Sequence, residues 1–424
     1  MLAGTTAPSR NGDGTPNVSA TPTQTIRASL VRPDTCHEAA TPTAHNWLVK
    51  SEICEQYGID FPLFAFSHCR DVVAAVTNAG GFGVLGGVAF TPDQLEQELC
   101  WIDEHVNGRP YGVDIIVPAK FEGKGENLTK AQLADRIPAD YRNFISELLA
   151  DHDIPVEEIR IASSALSGDT GQSLLEVSLS HPIKLMANAL GVPPDYMIEA
   201  GKQRGIPVAA LVGAKEHAIK QVHAGVDLIV AQGTEAGGHC GEVTTMVLIP
   251  EVLEAIADIP GGRETPVLAA GGIVTGRQMA ASVALGAAGA WTGSVWLTTE
   301  EAETAPHTKL KMVAASSRDT IRSAGRTGKP SRQLVSDWTN AWAPNAGGRA
   351  PLGLPLQAMI AEPALRRIDK LAQNGHPGAQ ALSTYFVGQG VGLMNKIKPA
   401  REVVLEFIED YLTAAERLCR SIED

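Results

Sequence analysis

Short apolar segments recur along residues 61–297 and alternate with segments whose apolar residues repeat at helical spacing. Eight of the apolar segments have the length of a strand, and they lie at 61–67, 82–85, 111–117, 184–190, 206–212, 226–231, 266–270 and 290–297. Each is almost continuously apolar, which is typical of parallel strands that are buried on both faces. The pattern therefore predicts a parallel sheet covered by helices.

The segments between the strands carry signals for the beginnings and ends of helices. Thr91 is followed by Pro92 and acidic residues, as at many helix N-termini, and Gly80–Gly81 ends an earlier helix. Eight strand–helix repeats over about 240 residues fit a closed (β/α)8 TIM barrel of the α/β class better than an open doubly wound sheet. We therefore predict the barrel, with the open sheet as the alternative.

Three regions do not follow the short repeat. Residues 1–45 are rich in Thr, Pro, Ser and Gly, and we predict a disordered leader there. The barrel is predicted over residues 46–300, with a long insertion after strand three at residues 119–182. Residues 301–424 are predicted to form a helical C-terminal extension packed on the barrel. The uncharged stretch 278–299 is mostly Ala and Gly, which indicates a buried helix and strand rather than a membrane span.

Composition narrows the classes of partner. The chain has 35 basic and 48 acidic residues, and its net charge is −13. This balance argues against nucleic acid or a membrane surface as the partner, although it permits a local basic pocket for a phosphate. The six cysteines are scattered, without a C-x-x-C pair or zinc-type spacing, so we predict reduced thiols in a cytoplasmic protein and no metal.

The first stretch with a candidate catalytic residue is 226–241, V-D-L-I-V-A-Q-G-T-E-A-G-G-H-C-G. A buried strand ends here in a glycine-rich turn that carries one histidine. In a parallel barrel the active site lies at the carboxyl ends of the strands, which is where this turn belongs. His239 is therefore a catalytic candidate, and a merely tight connection is the alternative.

The next two strands end in glycine turns of their own. Gly271–Gly272 precedes a helix, and Gly293–Ser294 follows the last strand. Backbone N–H groups at such turns bind phosphate well, and barrels often hold phosphate after strands seven and eight. We predict a phosphate site here. The chain has neither a P-loop nor a G-x-G-x-x-G segment opening a βαβ unit.

Several motifs occur together in a characteristic order: A-V-T-N-A-G-G-F-G-V-L-G, Q-G-T-E-A-G-G-H-C-G, A-A-G-G-I, G-A-A-G-A-W-T-G-S and G-R-T-G-K-P-S-R. Over about residues 47–413 the chain resembles the nitronate monooxygenase (2-nitropropane dioxygenase) family. The resemblance implies an FMN-dependent barrel, and the family extends to FMN-dependent enoyl-thioester reductases. It is specific for fold and flavin, and less so for substrate.

The resemblance also implies roles for particular residues. It places Gln232, Gly237 and Gly238 against the flavin and its ribityl chain. The FMN phosphate would be held by four residues, Gly271, Gly272, Gly293 and Ser294. Asp114 stands where the family usually has Asn and would contact the flavin pyrimidine. Phe66 and Ser67 would border the isoalloxazine, although the family usually shows Ala-Pro-Met at that strand end.

His239 matches the histidine proposed in the family as the general base that takes the α-proton of a nitroalkane. Imidazole has an unperturbed pKa of ~6.5, which suits proton abstraction near neutrality. The alternative is that His239 only donates a hydrogen bond to a substrate or flavin carbonyl. Glu235 either orients this imidazole or is a solvated carboxylate, and Cys240 is predicted to be a packing residue. The structural and functional interpretations of His68 are evenly matched.

The predicted function is nitronate monooxygenase-type oxidation of a nitronate, nitroalkane or similar stabilised carbanion with O2. The alternative enzyme is an NAD(P)H-dependent FMN reductase of an enoyl-thioester, such as an acyl-CoA, or of a quinone. The non-enzyme alternative is a flavin-binding scaffold. A basic loop of four residues is either internally paired and solvated or binds a phosphate-bearing substrate: Arg322, Arg326, Lys329 and Arg332. The sequence permits a homo-oligomer. It does not specify the physiological substrate or the preferred pyridine nucleotide.

Overall fold

The computed structural model describes residues 51–116, 130–155, 168–344 and 349–422 of the chain. The leader predicted over residues 1–45 lies outside the described residues. The same is true of residues 119–129 and 156–167 of the predicted insertion.

Eight parallel strands form a closed barrel, in which each strand pairs with the next and the last pairs with the first. Phe64 lies opposite Trp291 in the pair that closes the barrel. The barrel strands are β1 (Leu63–Ser67), β2 (Phe82–Gly86), β3 (Tyr111–Asp114), β4 (Leu185–Asn188), β5 (Val208–Val212), β6 (Leu228–Gln232), β8 (Val267–Ala270) and β9 (Gly289–Thr292). The prediction of a TIM barrel is confirmed, and all eight predicted strands are present.

The helices lie outside the barrel or belong to the insertion and the C-terminal region. They are α1 (Glu52–Tyr57), α2 (Arg70–Asn78), α3 (Pro92–His105), α4 (Lys130–Asp135), α5 (Ala139–Ala150), α6 (Gly168–Leu179), α7 (Asp195–Arg204), α8 (Lys215–Ala224), α9 (Thr245–Ile256), α10 (Gly276–Ala284), α11 (Pro306–Ala314), α12 (Asp337–Ala341), α13 (Leu356–Gln373), α14 (Pro377–Leu382) and α15 (Ala400–Arg420). Thr91 caps α3 as predicted, in a reciprocal capping box with Gln94. Where the structure describes the chain, no helix is long and apolar enough to cross a membrane.

Some element boundaries differ from the prediction. The eighth strand was predicted over 290–297 but ends at Thr292, because the chain turns at Gly293 into a short 3-10 helix, Ser294–Thr298. That helix also contains buried apolar residues, so the apolar run in the sequence did not show where the strand ends. Helix α9 begins at Thr245, and Pro250 lies inside it.

A second, three-stranded antiparallel sheet was not predicted. It consists of β7 (Gly238–His239), β10 (Thr320–Ser323) and β11 (Ser331–Leu334), in the order β10, β11, β7. His239 pairs with Ser331 and Gly238 pairs with Arg332. The predicted helical extension therefore contains a hairpin as well, and this hairpin holds the histidine turn in place.

The barrel interior is filled by apolar side chains at its amino end. Phe64 and Phe82 lie with ring centroids 5.0 Å apart, and Tyr57 of α1 packs edge-on 5.4 Å from each ring. Helix α1 therefore closes this end of the barrel. The opposite end, where the strands finish, contains a cavity.

The C-terminal region packs on the barrel and on the insertion. Phe407 of α15 stacks on Trp296 at 6.3 Å, within the core that surrounds β8 and β9. A separate cluster joins Ile145 and Leu149 of α5 to Met359 and Ile360 of α13. These contacts set α13 beside the carboxyl ends of the barrel strands.

Candidate active site

A cavity of about 600 Å³ lies at the carboxyl ends of the barrel strands. Its walls come from the strand ends, the β7 turn, the connection between β10 and β11, and one face of α13. All eleven residues predicted as site residues line it: Phe66, Ser67, Asp114, Gln232, Gly237, Gly238, His239, Gly271, Gly272, Gly293 and Ser294. The structure thus brings them together, while their binding and catalytic roles stay predictions.

Asp114 is the last residue of β3 and is only 3% exposed. Its Oδ1 atom is buried and has no hydrogen-bond partner in the described part of the chain. Burial raises the pKa of Asp114 to about 7. A carboxyl group with this pKa is largely protonated below neutrality, and an O–H lets it donate as an asparagine amide does.

Two glycines leave space in the cavity that a side chain would fill. A Cβ atom at Gly238 would meet nothing within 4 Å, and one at Gly293 would meet only Phe66, at 3.8 Å. Gly238 also has φ +73, a conformation that side chains disfavour. Gly271 has φ +106, and a Cβ there would press against Thr245 and the backbone of Gly233. At 271 a side chain is therefore excluded by packing. At 293 a side chain would instead extend into the cavity.

Ser294 begins the 3-10 helix after β9 and touches the C-terminal region. Its hydroxyl accepts a hydrogen bond from the backbone N–H of Gly388 at 2.8 Å. The hydroxyl proton is then available to a ligand in the cavity. Gln278 accepts hydrogen bonds from the backbone N–H groups of Val274 and Thr275, so these two groups are already used at the start of α10.

His239 faces the cavity from β7, and its hydrogen bonds determine its tautomer. The imidazole Nε2 lies 2.9 Å from Oγ1 of Thr327. The Thr327 hydroxyl lies 3.0 Å from the carbonyl oxygen of Lys329, to which it donates. Because a hydroxyl has one proton, Oγ1 must accept from His239, which therefore carries its proton on Nε2. The lone pair is left on Nδ1.

The surroundings of His239 keep the imidazole neutral. Burial is the largest effect, and with the nearby cations Lys329 and Arg326 it lowers the pKa of His239 to about 4. Near neutral pH the residue is therefore a proton acceptor rather than an imidazolium. Glu235 does not orient this ring. Its carboxylate accepts hydrogen bonds from the N–H and hydroxyl of Thr245, at the start of α9.

Arg326 lies beside His239 in the cavity wall, and its guanidinium is paired. Its Nε and Nη2 donate to the carboxylate of Glu362 on α13, at 2.8 and 3.3 Å. The same guanidinium lies 4.2 Å from the ring centroid of Phe386. The prediction did not identify Glu362 or Phe386, since both come from segments without a motif.

The other three members of the basic loop differ in their contacts. Arg332 donates to the carbonyl oxygen of Thr234 at 2.8 Å, and Arg322 lies 3.6 Å from Glu242. Arg322, Arg326 and Arg332 thus each have an internal partner. Lys329 remains as a cation near His239.

Two further histidines bear on the predictions. His68 lines the cavity, and its Nδ1 lies 2.9 Å from the carbonyl oxygen of Gly86, which holds the ring in place. His181 follows α6 and does not line the cavity. Its side chain is 6% exposed and lies between two carboxylates.

The comparisons with known proteins agree with this geometry. The family model described as nitronate monooxygenase matches residues 50–410. A Mycobacterium tuberculosis protein named "Putative monooxygenase" is 50% identical over 379 residues, which cover 87% of this chain and 98% of that protein. A Staphylococcus saprophyticus protein named "Probable nitronate monooxygenase" is 29% identical over 286 residues, covering 65% of this chain and 74% of that one.

Solved structures show the same fold. A nitroalkane oxidase from Streptomyces ansochromogenes superimposes with a TM-score of 0.71 at 24% identity, covering 86% of this chain and 99% of the other. FabK from Thermotoga maritima superimposes with a TM-score of 0.62 at 24% identity, covering 88% and 99%. With the family model extending across most of the chain, the protein belongs to the nitronate monooxygenase family of oxidoreductase enzymes.

Proposed function

We propose that the cavity binds FMN and that the protein is a flavin-dependent oxidase of nitronates, nitroalkanes or similar stabilised carbanions. The observation that carries the proposal is the cavity itself. Gly238 and Gly293 line it, and within the described chain an added Cβ would meet nothing at 238 and only Phe66 at 293. Asp114 lines the same space, and its buried Oδ1 has no hydrogen-bond partner among the described residues. These features suit a planar, polar-edged cofactor that approaches the backbone closely.

Each part of the cofactor has residues suited to it. Gly271, Gly272, Gly293 and Ser294 would hold the phosphate. Gln232, Gly237 and Gly238 would lie against the ring and ribityl chain, with Phe66 and Ser67 at its border. Asp114 would donate to a pyrimidine carbonyl from its protonated form. Bound FMN would supply the electron-accepting chemistry, and the protein would supply binding and orientation.

His239 is the proposed proton acceptor. Its Nδ1 would take the α-proton of the substrate, because Nε2 is already protonated and donates to Thr327. The cations Lys329 and Arg326 disfavour the imidazolium, but they also favour the anion that the substrate becomes. Transfer of the proton therefore creates an ion pair at a position where positive charge already stabilises the substrate. O2 is the proposed oxidant of the reduced enzyme.

One observation favours a second candidate, an NAD(P)H-dependent reductase of an enoyl-thioester or quinone. Arg366 of α13 is exposed at the cavity, and no described residue forms an ion pair with it. Together with Lys329 it offers positive charge to a phosphate-bearing reactant such as NAD(P)H or an acyl-CoA. The scaffold alternative has no comparable support, since the family consists of enzymes.

The two candidates differ in what reduces the enzyme. Purified protein should be yellow and release FMN on denaturation. Mixed with propyl nitronate without oxygen, it should lose its flavin absorbance, whereas NADPH should leave that absorbance unchanged. Loss of flavin absorbance with NADPH alone would refute the oxidation of nitronates and support the reductase. A colourless preparation that FMN does not reconstitute would refute both.

A further inference from the structure

A cluster of metal-ligating side chains lies on the outer surface, apart from the cavity. Glu96, Cys100 and Asp103 follow one another on the same face of α3, at spacings of four and three residues. His181, which follows α6, packs against this face. None of the four lines the cavity. The cluster is therefore separate from the site of the proposed oxidation.

The distances within the cluster match those around a tetrahedral ion. His181 Nε2 lies 3.2 Å from Oε2 of Glu96, and Cys100 Sγ lies 3.6 Å from Oε1 of Glu96. One ligand atom from each of the three residues lies within 4.8 Å of the others. Tetrahedral zinc, with bonds of about 2.0–2.3 Å, places neighbouring nitrogen, oxygen and sulfur ligands roughly 3.3–3.7 Å apart. The two short distances involve different oxygens of Glu96, and all three groups are close enough together to bind one ion.

His181 is also held in the orientation that a metal ligand needs. Its Nδ1 lies 2.7 Å from Oδ2 of Asp103, and the hydroxyl of Tyr111 donates to Oδ1 of the same carboxylate at 2.6 Å. An Nδ1–H donated to Asp103 leaves the lone pair on Nε2, which points toward Glu96. A carboxylate behind a ligating histidine is the usual arrangement in zinc sites, where it fixes the tautomer.

Charge and ligand chemistry point the same way. No Lys or Arg of the described segments forms an ion pair with Glu96 or Asp103. Pairing with two carboxylates accounts for His181 without a metal, and the thiol of Cys100, which donates to Glu96, adds a sulfur ligand at the same point. A set of one nitrogen, one oxygen and one sulfur ligand is suited to Zn²⁺, which accepts all three.

We propose that Glu96, Cys100 and His181 bind one Zn²⁺ ion, with water at the fourth position. Asp103 is a positioning residue that acts through His181. The ion would join α3 to the segment between α6 and β4, so it would stabilise the wall of the barrel without taking part in the redox reaction.

Zinc titration of the full-length protein tests the site. After treatment with EDTA and removal of the chelator, calorimetry with Zn²⁺ should show one equivalent bound, and Zn²⁺ should raise the unfolding temperature. Cys100→Ser should weaken binding at least tenfold, and Asp103→Asn should weaken it about 10–100-fold. The matched control is Cys419→Ser, because Cys419 is also an exposed free thiol and should be without effect.

Two results would overturn the proposal. One is the absence of stoichiometric zinc binding, which would leave a histidine paired with two carboxylates. The other is equal zinc affinity in Cys100→Ser and in the wild type. Cys100 is exposed, so its serine variant should fold, and its unfolding temperature in EDTA checks this. Neither result depends on whether the cavity binds FMN.

Discussion

The imidazole Nε2 of His239 donates to the hydroxyl of Thr327 across 2.9 Å, although 88 residues separate the two along the chain. The contact exists because β7 pairs with β11, which brings the hairpin against the glycine turn. It decides which nitrogen is free to accept a proton. A single hydroxyl thereby determines the chemistry proposed for the histidine.

Thr327→Val should impair turnover while FMN remains bound. Valine cannot accept the Nε2–H, so the tautomer with a free Nδ1 loses its preference. We expect kcat with propyl nitronate to fall by about tenfold, against at least ~10²-fold for His239→Ala. Thr327→Ser keeps the hydroxyl and should remain close to the wild type. If His239→Ala lost less than tenfold, the residue would be a binding contact and not a general base.

Lys329→Met should move the pH dependence of the reaction. His239 has a pKa of about 4, so it is neutral at higher pH and kcat/KM should fall only as the pH approaches that value. Removing the Lys329 cation relieves one cause of the low pKa, and the acid limb should shift to higher pH. The measurement is kcat/KM between pH 4 and 8. Arg366→Met is the control, because it removes a cation that does not act on His239. An unchanged acid limb in Lys329→Met would show that another group titrates.

Asp114→Asn should remove a pH dependence of FMN binding. The pKa of Asp114 is about 7, so the carboxyl loses its proton as the pH rises through neutrality. A carboxylate cannot donate to a flavin carbonyl, and we expect the dissociation constant of FMN to increase between pH 6 and 8 in the wild type. The variant should show no such increase. Fluorescence of free FMN measures this directly, and equal slopes for both proteins would contradict the proposed contact.

The same substitution should change the stability of the apoprotein. The native pKa of Asp114 lies above the ordinary aspartate pKa of 3.8, so between these two pH values the native state holds a proton that the unfolded chain has released. The stability contributed by this group is therefore lost as the pH rises from about 4 to 7. Unfolding of the apoprotein in urea at pH 5 and 7 should show a smaller pH effect in Asp114→Asn.

Gly293→Ala should expel FMN without unfolding the protein. Among the described residues, the new Cβ would meet only Phe66, at 3.8 Å. The apoprotein should keep its unfolding temperature. A methyl group in the cofactor's space should cost about 1–3 kcal/mol, which weakens FMN binding roughly 5–150-fold. Unaltered FMN affinity would place the phosphate elsewhere.

The barrel was predictable because its information is local. Each strand buries both faces, so it appears in the sequence as a short apolar run, and each helix repeats its apolar residues with its own period. The glycine turns at 237–238, 271–272 and 293 were recognisable for a similar reason. A parallel barrel brings the ends of all its strands to one face, so strand ends alone indicated His239 and the glycine turns. The family resemblance supplied Phe66, Ser67, Asp114 and Gln232, and all of these residues line one cavity.

Contacts between distant segments were not predictable. Strand β7 has two residues, and β10 and β11 are the polar segments T-I-R-S and S-R-Q-L, which show no apolar pattern. The partners of charged and titratable side chains could not be predicted for the same reason, because they lie far apart in the sequence. Glu362 pairs with Arg326 from α13, and Asp103 holds His181 from α3.

The sequence by itself determined the parallel barrel, the face at which the cavity lies and the residue types available there. Only the tertiary structure determined the protonation states of Asp114 and His239. It buried Oδ1 of Asp114 without a hydrogen-bond partner in the described segments, gave His239 a hydroxyl to donate to and set two cations beside it. The physical reason is that apolar periodicity is encoded within one element. A pKa depends instead on which groups meet in space and on how much water they lose.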